Sequence, residues 1–293
     1  SKHDPETEFS EAFSDQSALV SIQQSRVDSP IHRSARMLEV RLRMFDSSQR
    51  PAGGLIVQGL FTFKSLSEEA SDIPSLRRRF VQMTEAEDLV PQSHRMKVFL
   101  SLFNRLPLTY AFSATDSEVV SLVNDAIDVD FGGSARLHCF VPPQRTVAHV
   151  FVMVVRERFG DRLRGQVQRV LDSAYEADHI SFRRLSGKTE VSMWHFVVSS
   201  DTRLAEPDLD GLARRVVAIV TPWRERMRAM LHDSEIDEVE VDRLCRLFGE
   251  ALPEKYCQRV EAEHLLEDLT MFERVYETGQ LQALLRRDAI DRA

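Results

Sequence analysis

The chain lacks the markers of several common chemistries. No Gly-x-Gly-x-x-Gly, no Gly-x-x-x-x-Gly-Lys-Ser/Thr and no Gly-x-Ser-x-Gly occurs in its 293 residues. Nicotinamide dinucleotides usually rest on a glycine-rich strand-to-helix turn, and hydrolase nucleophiles on a tight elbow. Neither cofactor binding nor catalysis is therefore expected of these residues. Gly53-Gly54 reads as part of a hairpin turn and Gly132-Gly133 as a loop, both structural. The three cysteines, Cys139, Cys245 and Cys257, are widely spaced and form no Cys-x-x-Cys pair. That excludes a disulfide framework and a structural zinc site, and leaves buried, reduced thiols. No apolar run approaches the ~20 residues that span a bilayer. Ser1-Lys2-His3-Asp4-Pro5 has no apolar core of a signal peptide, so a cytoplasmic location and no membrane partner are expected. The formal net charge of -8 argues against a nucleic-acid partner.

Lysine is scarce as well. Only five of the 38 basic residues are lysine, which leaves 33 arginines, clustered at Arg77-Arg78-Arg79, Arg156 to Arg164, Arg183-Arg184 and Arg214-Arg215. Guanidinium forks bind carboxylates bidentately, in partner proteins or amino-acid ligands. The alternative is pairing with the 46 acidic groups of the chain itself. His32-Arg33 and His94-Arg95 allow the same two readings, an anion site or a surface pair.

Residues 1–29 carry acids among Ser, Gln and Pro with little apolar periodicity, and read as a weakly ordered segment, with Leu19–Ile22 a short strand or turn. Residues 30–130 read as a hairpin followed by helices. Arg36–Phe45 alternates apolar and polar side chains, Asp46–Gly54 is a turn, and Leu55–Phe63 is the return strand. A helix capped by Ser71 or Asp72 runs to about Asp88, a second spans Ser93–Leu106 and stops at Pro107, and a third runs from Thr115 or Asp116 to about Ile127.

Residues 131–234 spell out strand, strand, helix, strand, strand and a final helix. Ala135–Val141 and the apolar run ending at Val155 precede the helical stretch Asp161–Tyr175. His179–Leu185 and Glu190–Ser199 then alternate with period two. Because neighbours in a strand face opposite sides, His195 points away from Trp194 and Phe196. If those two fill the core, His195 faces a partner or solvent. From Pro207 a broad apolar stripe runs through Leu209, Leu212, Val216, Ile219, Val220, Trp223, Met227 and Met230, interrupted at Pro222, where a kink or restart is expected. Residues 235–293 are charged and helical, broken at Leu252-Pro253. The fold class is α+β: small antiparallel sheets with helices on one face, then a mostly helical tail.

Four stretches carry a resemblance. Ser29-Pro30-Ile31-His32-Arg33-Ser34-Ala35-Arg36-Met37 resembles the Ser-x-Ile-His-Arg-x-x-Arg-Met entry to a hairpin in the very long bacterial NAD-dependent glutamate dehydrogenases. Gly59-Leu60-Phe61-Thr62 with Ile73-Pro74-Ser75-Leu76-Arg77-Arg78 is similar to that family's strand end and helix start. Met193-Trp194-His195-Phe196-Val197-Val198 resembles its Arg-Leu-His-Phe-Val-Val strand, and Leu252-Pro253-Glu254-Lys255-Tyr256 its Phe-Pro-x-x-Tyr turn. The order agrees over about residues 25–275. Arg156-Glu157-Arg158-Phe159-Gly160, where the family tends to have Pro-Arg-Asp-Arg-Tyr, and Trp194 for leucine mark a divergent member.

The resemblance implies PAS-like and ACT-like regulatory sheets leading towards a catalytic domain outside this chain. The parent would oxidise L-glutamate with NAD, while this segment holds no catalytic, cofactor or metal residue. Its partners would be the rest of the parent chain, like subunits in a homo-oligomer, and a small amino-acid effector. His195, Arg156 and Arg183 are the candidate effector or interface residues. A ligand-free interaction module mediating oligomerisation is the rival reading, supported by the apolar stripe. An independent enzyme is the weakest, since no nucleophile, base and oxyanion donors stand at readable spacing.

Overall fold

The alternation at Arg36–Phe45 is realised as a strand of that span, β2. The computed structural model describes residues 19–29, 36–60, 68–142, 145–155, 160–185, 191–232, 234 and 236–283. β1 (Val20–Asp28), β2 and β3 (Pro51–Gly59) form an antiparallel sheet in the order β1-β2-β3. The β2–β3 turn is shorter than its composition suggests, because Gly53 and Gly54 already lie in β3. Asp46 closes it, with its Oδ1 accepting from the backbone N–H groups of Ser48 and Arg50 at 2.8 and 2.9 Å. β1 lies inside the segment expected to be weakly ordered. Its order comes from main-chain pairing, Val20 opposite Leu42 and Ile22 opposite Val40, which a Ser- and Gln-rich composition does not advertise.

Four helices follow. A 3₁₀ turn at Ala70–Asp72 leads into α1 (Pro74–Ala86), with proline in its first turn. Ile73, rather than Ser71 or Asp72, sits at its N-cap. α2 (His94–Phe103) is capped by Ser93, whose Oγ accepts from Met96 N–H at 3.1 Å. Pro107 ends nothing by itself. It opens a six-residue helix, α3 (Leu108–Ser113), that periodicity does not reveal. α4 (Asp116–Asp130) is capped by Thr115.

The second sheet has strands β4 (Arg136–Phe140), β5 (Val147–Val155), β6 (His179–Leu185) and β7 (Val191–Ser199) in the order β4-β5-β7-β6, all antiparallel. Helix α5 (Asp161–Tyr175) connects β5 to β6. It buries Val167, Leu171 and Tyr175 with the sheet face that carries Val150, Val152, Trp194 and Phe196. The opposite face carries Phe140, Phe151, Met153, Leu185 and Met193. These join one hydrophobic cluster with Leu76, Phe80, Phe99, Phe103, Tyr110 and Leu122 from α1–α4. The module supplies one helical layer and the preceding helices supply the other. Residues on both sides of 130/131 contribute to this one cluster.

By its internal packing the chain divides into two compact units, residues 1–217 and 218–293. α6 (Leu209–Val220) stops before Pro222 and α7 (Trp223–His232) restarts after it, as the missing N–H and ring of proline dictate. In the second unit, α8 (Glu238–Phe248) and α10 (Ala262–Thr278) pack Val241, Leu244, Leu265 and Leu269 with Met227 and Leu231 of α7, and α9 (Glu254–Arg259) lies between α8 and α10 in the chain. Gly279 ends α10 in the left-handed region, at φ 65°. Cys245 and Cys257 are buried, Cys139 is half-buried, and none of the three is in a disulfide.

Candidate functional site on the second sheet

Antiparallel register brings one row of side chains straight across the second sheet. His138 of β4 lies opposite Phe151 of β5, Phe151 opposite His195 of β7, and His195 opposite Arg183 of β6. His149, two residues before Phe151, shares their face. His195 does point away from Trp194 and Phe196. It does not face open solvent, being 3 % exposed. Its ring stacks on Phe151 with centroids 4.6 Å apart. The helices preceding the sheet cover this face, and Tyr110 of α3 lies edge-on to Phe151 at 4.7 Å. Sequence periodicity finds the two faces of a strand but not what covers each.

His149 and His195 form a buried pair. His149 Nδ1 and His195 Nε2 are 3.0 Å apart, and the rings lie within 4° of parallel. One nitrogen donates and the other accepts, so the pair is satisfied while neutral. Burial pushes His149 down to about 4. It also holds His195 well below the usual imidazole range, with the charges of His149 and Arg183 acting the same way. Burial raises the Tyr110 hydroxyl far above its ordinary value, and the neighbouring Glu118 adds to this. His138 lies within 3.3 Å of Glu118 and 3.5 Å of Asp125.

Beyond His195 the sheet edge opens into a cavity of about 370 Å³. Residues 181–185 of β6, with His195 and Val197 of β7, form one wall. Glu68 and residues 104–109, the connection from α2 into α3, form the other. Arg183 is exposed there, and among the described residues no carboxylate or hydrogen-bond acceptor pairs with it. Its neighbour Arg184 points to the opposite face, where Nε donates to Ser192 Oγ at 3.2 Å. Arg105 donates to Ser101 Oγ at 3.2 Å. Two of the three candidate residues, Arg183 and His195, thus meet at one cavity. Arg156 lies outside the described residues, as do His32-Arg33. His94 is an edge-on neighbour of Phe131, and Arg95 reaches Asn124 at 3.4 Å. Sequence reasoning missed Glu68, His149 and Tyr110. Only the strand register and α3 place His149 and Tyr110 beside His195.

Arg79 holds the far side of α3. Its guanidinium donates to the carbonyls of Ala111 at 2.5 Å and Ala114 at 2.8 Å, and to Asp116 at 2.7 Å. A cation at a helix C-terminus complements both the free carbonyls and the dipole. The cavity's second wall is therefore anchored through α3.

Neither glycine pair builds a dinucleotide cradle. Gly53 and Gly54 sit within β3. Gly132-Gly133 follows α4 instead of opening a helix, and a Cβ on Gly133 would stand 2.6 Å from the Asp128 carbonyl oxygen. Among the described residues no group of three or more His, Cys, Asp or Glu side chains is placed to hold a metal, and no helix is long and apolar enough to cross a membrane.

Residues 135–224 match the family described as glutamate dehydrogenase, ACT2 domain. Over 252 residues, 86% of this chain, the sequence is 21% identical to an NAD-specific glutamate dehydrogenase of Halomonas elongata. The chain spans only 16% of that relative's length. The β6–β7 wall of the cavity falls inside the family match, and the wall from Glu68 and residues 104–109 falls before it. Residues 135–224 are thus similar to the ACT2 domain of glutamate dehydrogenases, and most of the chain is similar to a stretch of an NAD-specific glutamate dehydrogenase.

Proposed function

We propose that this chain is a regulatory segment of a large NAD-dependent glutamate dehydrogenase, with no catalysis of its own. The parent reaction would convert L-glutamate, NAD and water to 2-oxoglutarate, ammonia and NADH, with the chemistry in a domain outside these residues. The cavity beside His195 would hold a small amino-acid effector. One observation supports this most. A cavity at the edge of the ACT2 sheet carries a cation, Arg183, with no carboxylate partner among the described residues, and has Glu68 on its other wall. An amino acid offers the complement of both, a carboxylate for the guanidinium fork and an ammonium for the acid. Binding would bias an equilibrium felt at the distant active site, with a coupling of about 1–3 kcal/mol.

The rival reading, an interaction module without ligand, rested on the stripe from Leu209 to Met230. Leu212, Val216, Val220 and Met227, half of the eight residues of the stripe, are buried within the chain, so that part of the surface is already used. The test uses the full-length polypeptide. An amino acid that stabilises this segment is added during NAD-dependent oxidation of glutamate. A change in rate at the concentration that stabilises the segment supports regulation. A ligand that binds the segment and leaves the rate unchanged would refute it.

A further inference from the structure

The cavity and the buried histidine pair share one residue, His195. We infer that anion binding in this cavity is coupled to proton uptake by the His149–His195 pair. The inference rests on the cavity being a ligand site, but not on which ligand occupies it.

Two neutral imidazoles joined at 3.0 Å share one hydrogen. A single added proton would turn that contact into a charge-assisted N–H···N bond, so the pair can take up one proton without breaking. What opposes this is the surrounding charge. Arg183 of β6 faces His195 directly across the strands. From α3, Tyr110 lies over His149 with ring centroids 5.7 Å apart. From β4, His138 lies beyond Phe151, within 3.3 Å of Glu118 and 3.5 Å of Asp125 of α4. Arg105 and Glu68 stand on the cavity rim, whereas the Arg184 side chain turns to the opposite face. Among the described residues, the charged group that faces His195 across the strands is therefore the cationic Arg183. An anion seated on Arg183 would cancel that repulsion and place negative charge beside the imidazole pair. Burial and Arg183 together explain why the pair is neutral at ordinary pH.

Linkage makes the effect reciprocal. If the anion raises the proton affinity of the pair, low pH raises affinity for the anion. Each unit by which the pair's titration moves up strengthens binding by up to about tenfold at pH values below both midpoints.

Inorganic sulfate is the probe, since it stays anionic through the histidine range and presents no amino group. The chain is made with 13C-labelled histidine and titrated with and without saturating sulfate. His149→Phe and His195→Gln assign the resonances. Without sulfate, His149 and His195 should both titrate well below the usual imidazole range. With sulfate, their common midpoint should rise by about one pH unit or more. Arg183→Gln, a change at an exposed position, should remove the response. Calorimetry of the unmodified protein in two buffers of different ionisation heat should show net proton uptake on sulfate binding near pH 5. Sulfate that perturbs residues around Arg183 while both histidines stay unmoved would overturn the coupling. Sulfate that perturbs no cavity residue would overturn the anion site itself. If the sulfate response holds but no amino acid binds, the coupling stands and the amino-acid reading falls.

Discussion

A histidine buried on a sheet makes stability depend on pH in a defined direction. The unfolded chain holds His149 at its ordinary value near 6.5, and the fold lowers it to about 4. Between those values the unfolded state binds the extra proton, so stability falls as pH falls. The contribution is complete above about pH 6.5 and is lost progressively towards pH 4. For His149 alone it amounts to about 3 kcal/mol. Urea unfolding at pH 7.5, 6 and 5 should show a falling midpoint, and the fall should be smaller in His149→Phe. A midpoint that does not move over this range would contradict the buried neutral pair. The neighbouring row was partly legible beforehand. Alternation in Glu190–Ser199 places His195 opposite Trp194 and Phe196, as found. It says nothing about Tyr110 covering that face, because the cover arrives from a helix about 85 residues away in sequence.

At the scale of elements, α3 depends on its clamp. Six residues are too few to hold a helix unaided, since nucleation costs more than one turn returns. Arg79 satisfies the carbonyls of Ala111 and Ala114, and Ser113 Oγ donates to the Ile22 carbonyl of β1 at 2.7 Å. Removing the guanidinium in Arg79→Ala should cost about 2 kcal/mol. It should also speed amide exchange at Ala111 and Ala114 more than in α4. The same physics explains why α3 cannot be read from sequence. Its signal lies in contacts with α1 and β1, not in its own periodicity, and Pro107 reads locally as a stop. By contrast α5 and β6 match their expected spans end to end, Asp161–Tyr175 and His179–Leu185. Each has a period strong enough to set its own limits.

For the molecule as a whole, the second sheet is covered on both faces by helices from different stretches of chain. Phe140, Phe151, Met153, Leu185 and Met193 share their cluster with α1–α4. Phe151→Ala should cost about 3–5 kcal/mol and lower exchange protection in α4 and β5 together. A fragment limited to residues 135–224 would expose that face to water. It should bind a hydrophobic dye and lose sharp unfolding, whereas residues 19–217 should unfold cooperatively. The sequence pattern divides this region at 130/131, and hydrophobic periodicity alone cannot show that the two sides share a core. Both sides show apolar periodicity, but only packing tells which apolar faces meet.

The most direct test is the melting temperature of this chain with each of the twenty amino acids at millimolar concentration, beside the Arg183→Ala variant. At a hundred times its dissociation constant a ligand adds about 2.7 kcal/mol, enough to raise the midpoint by about 5 °C. The account predicts such a rise for at least one amino acid in the native chain and its loss in Arg183→Ala. No rise with any of the twenty, or an equal rise in the variant, would contradict it.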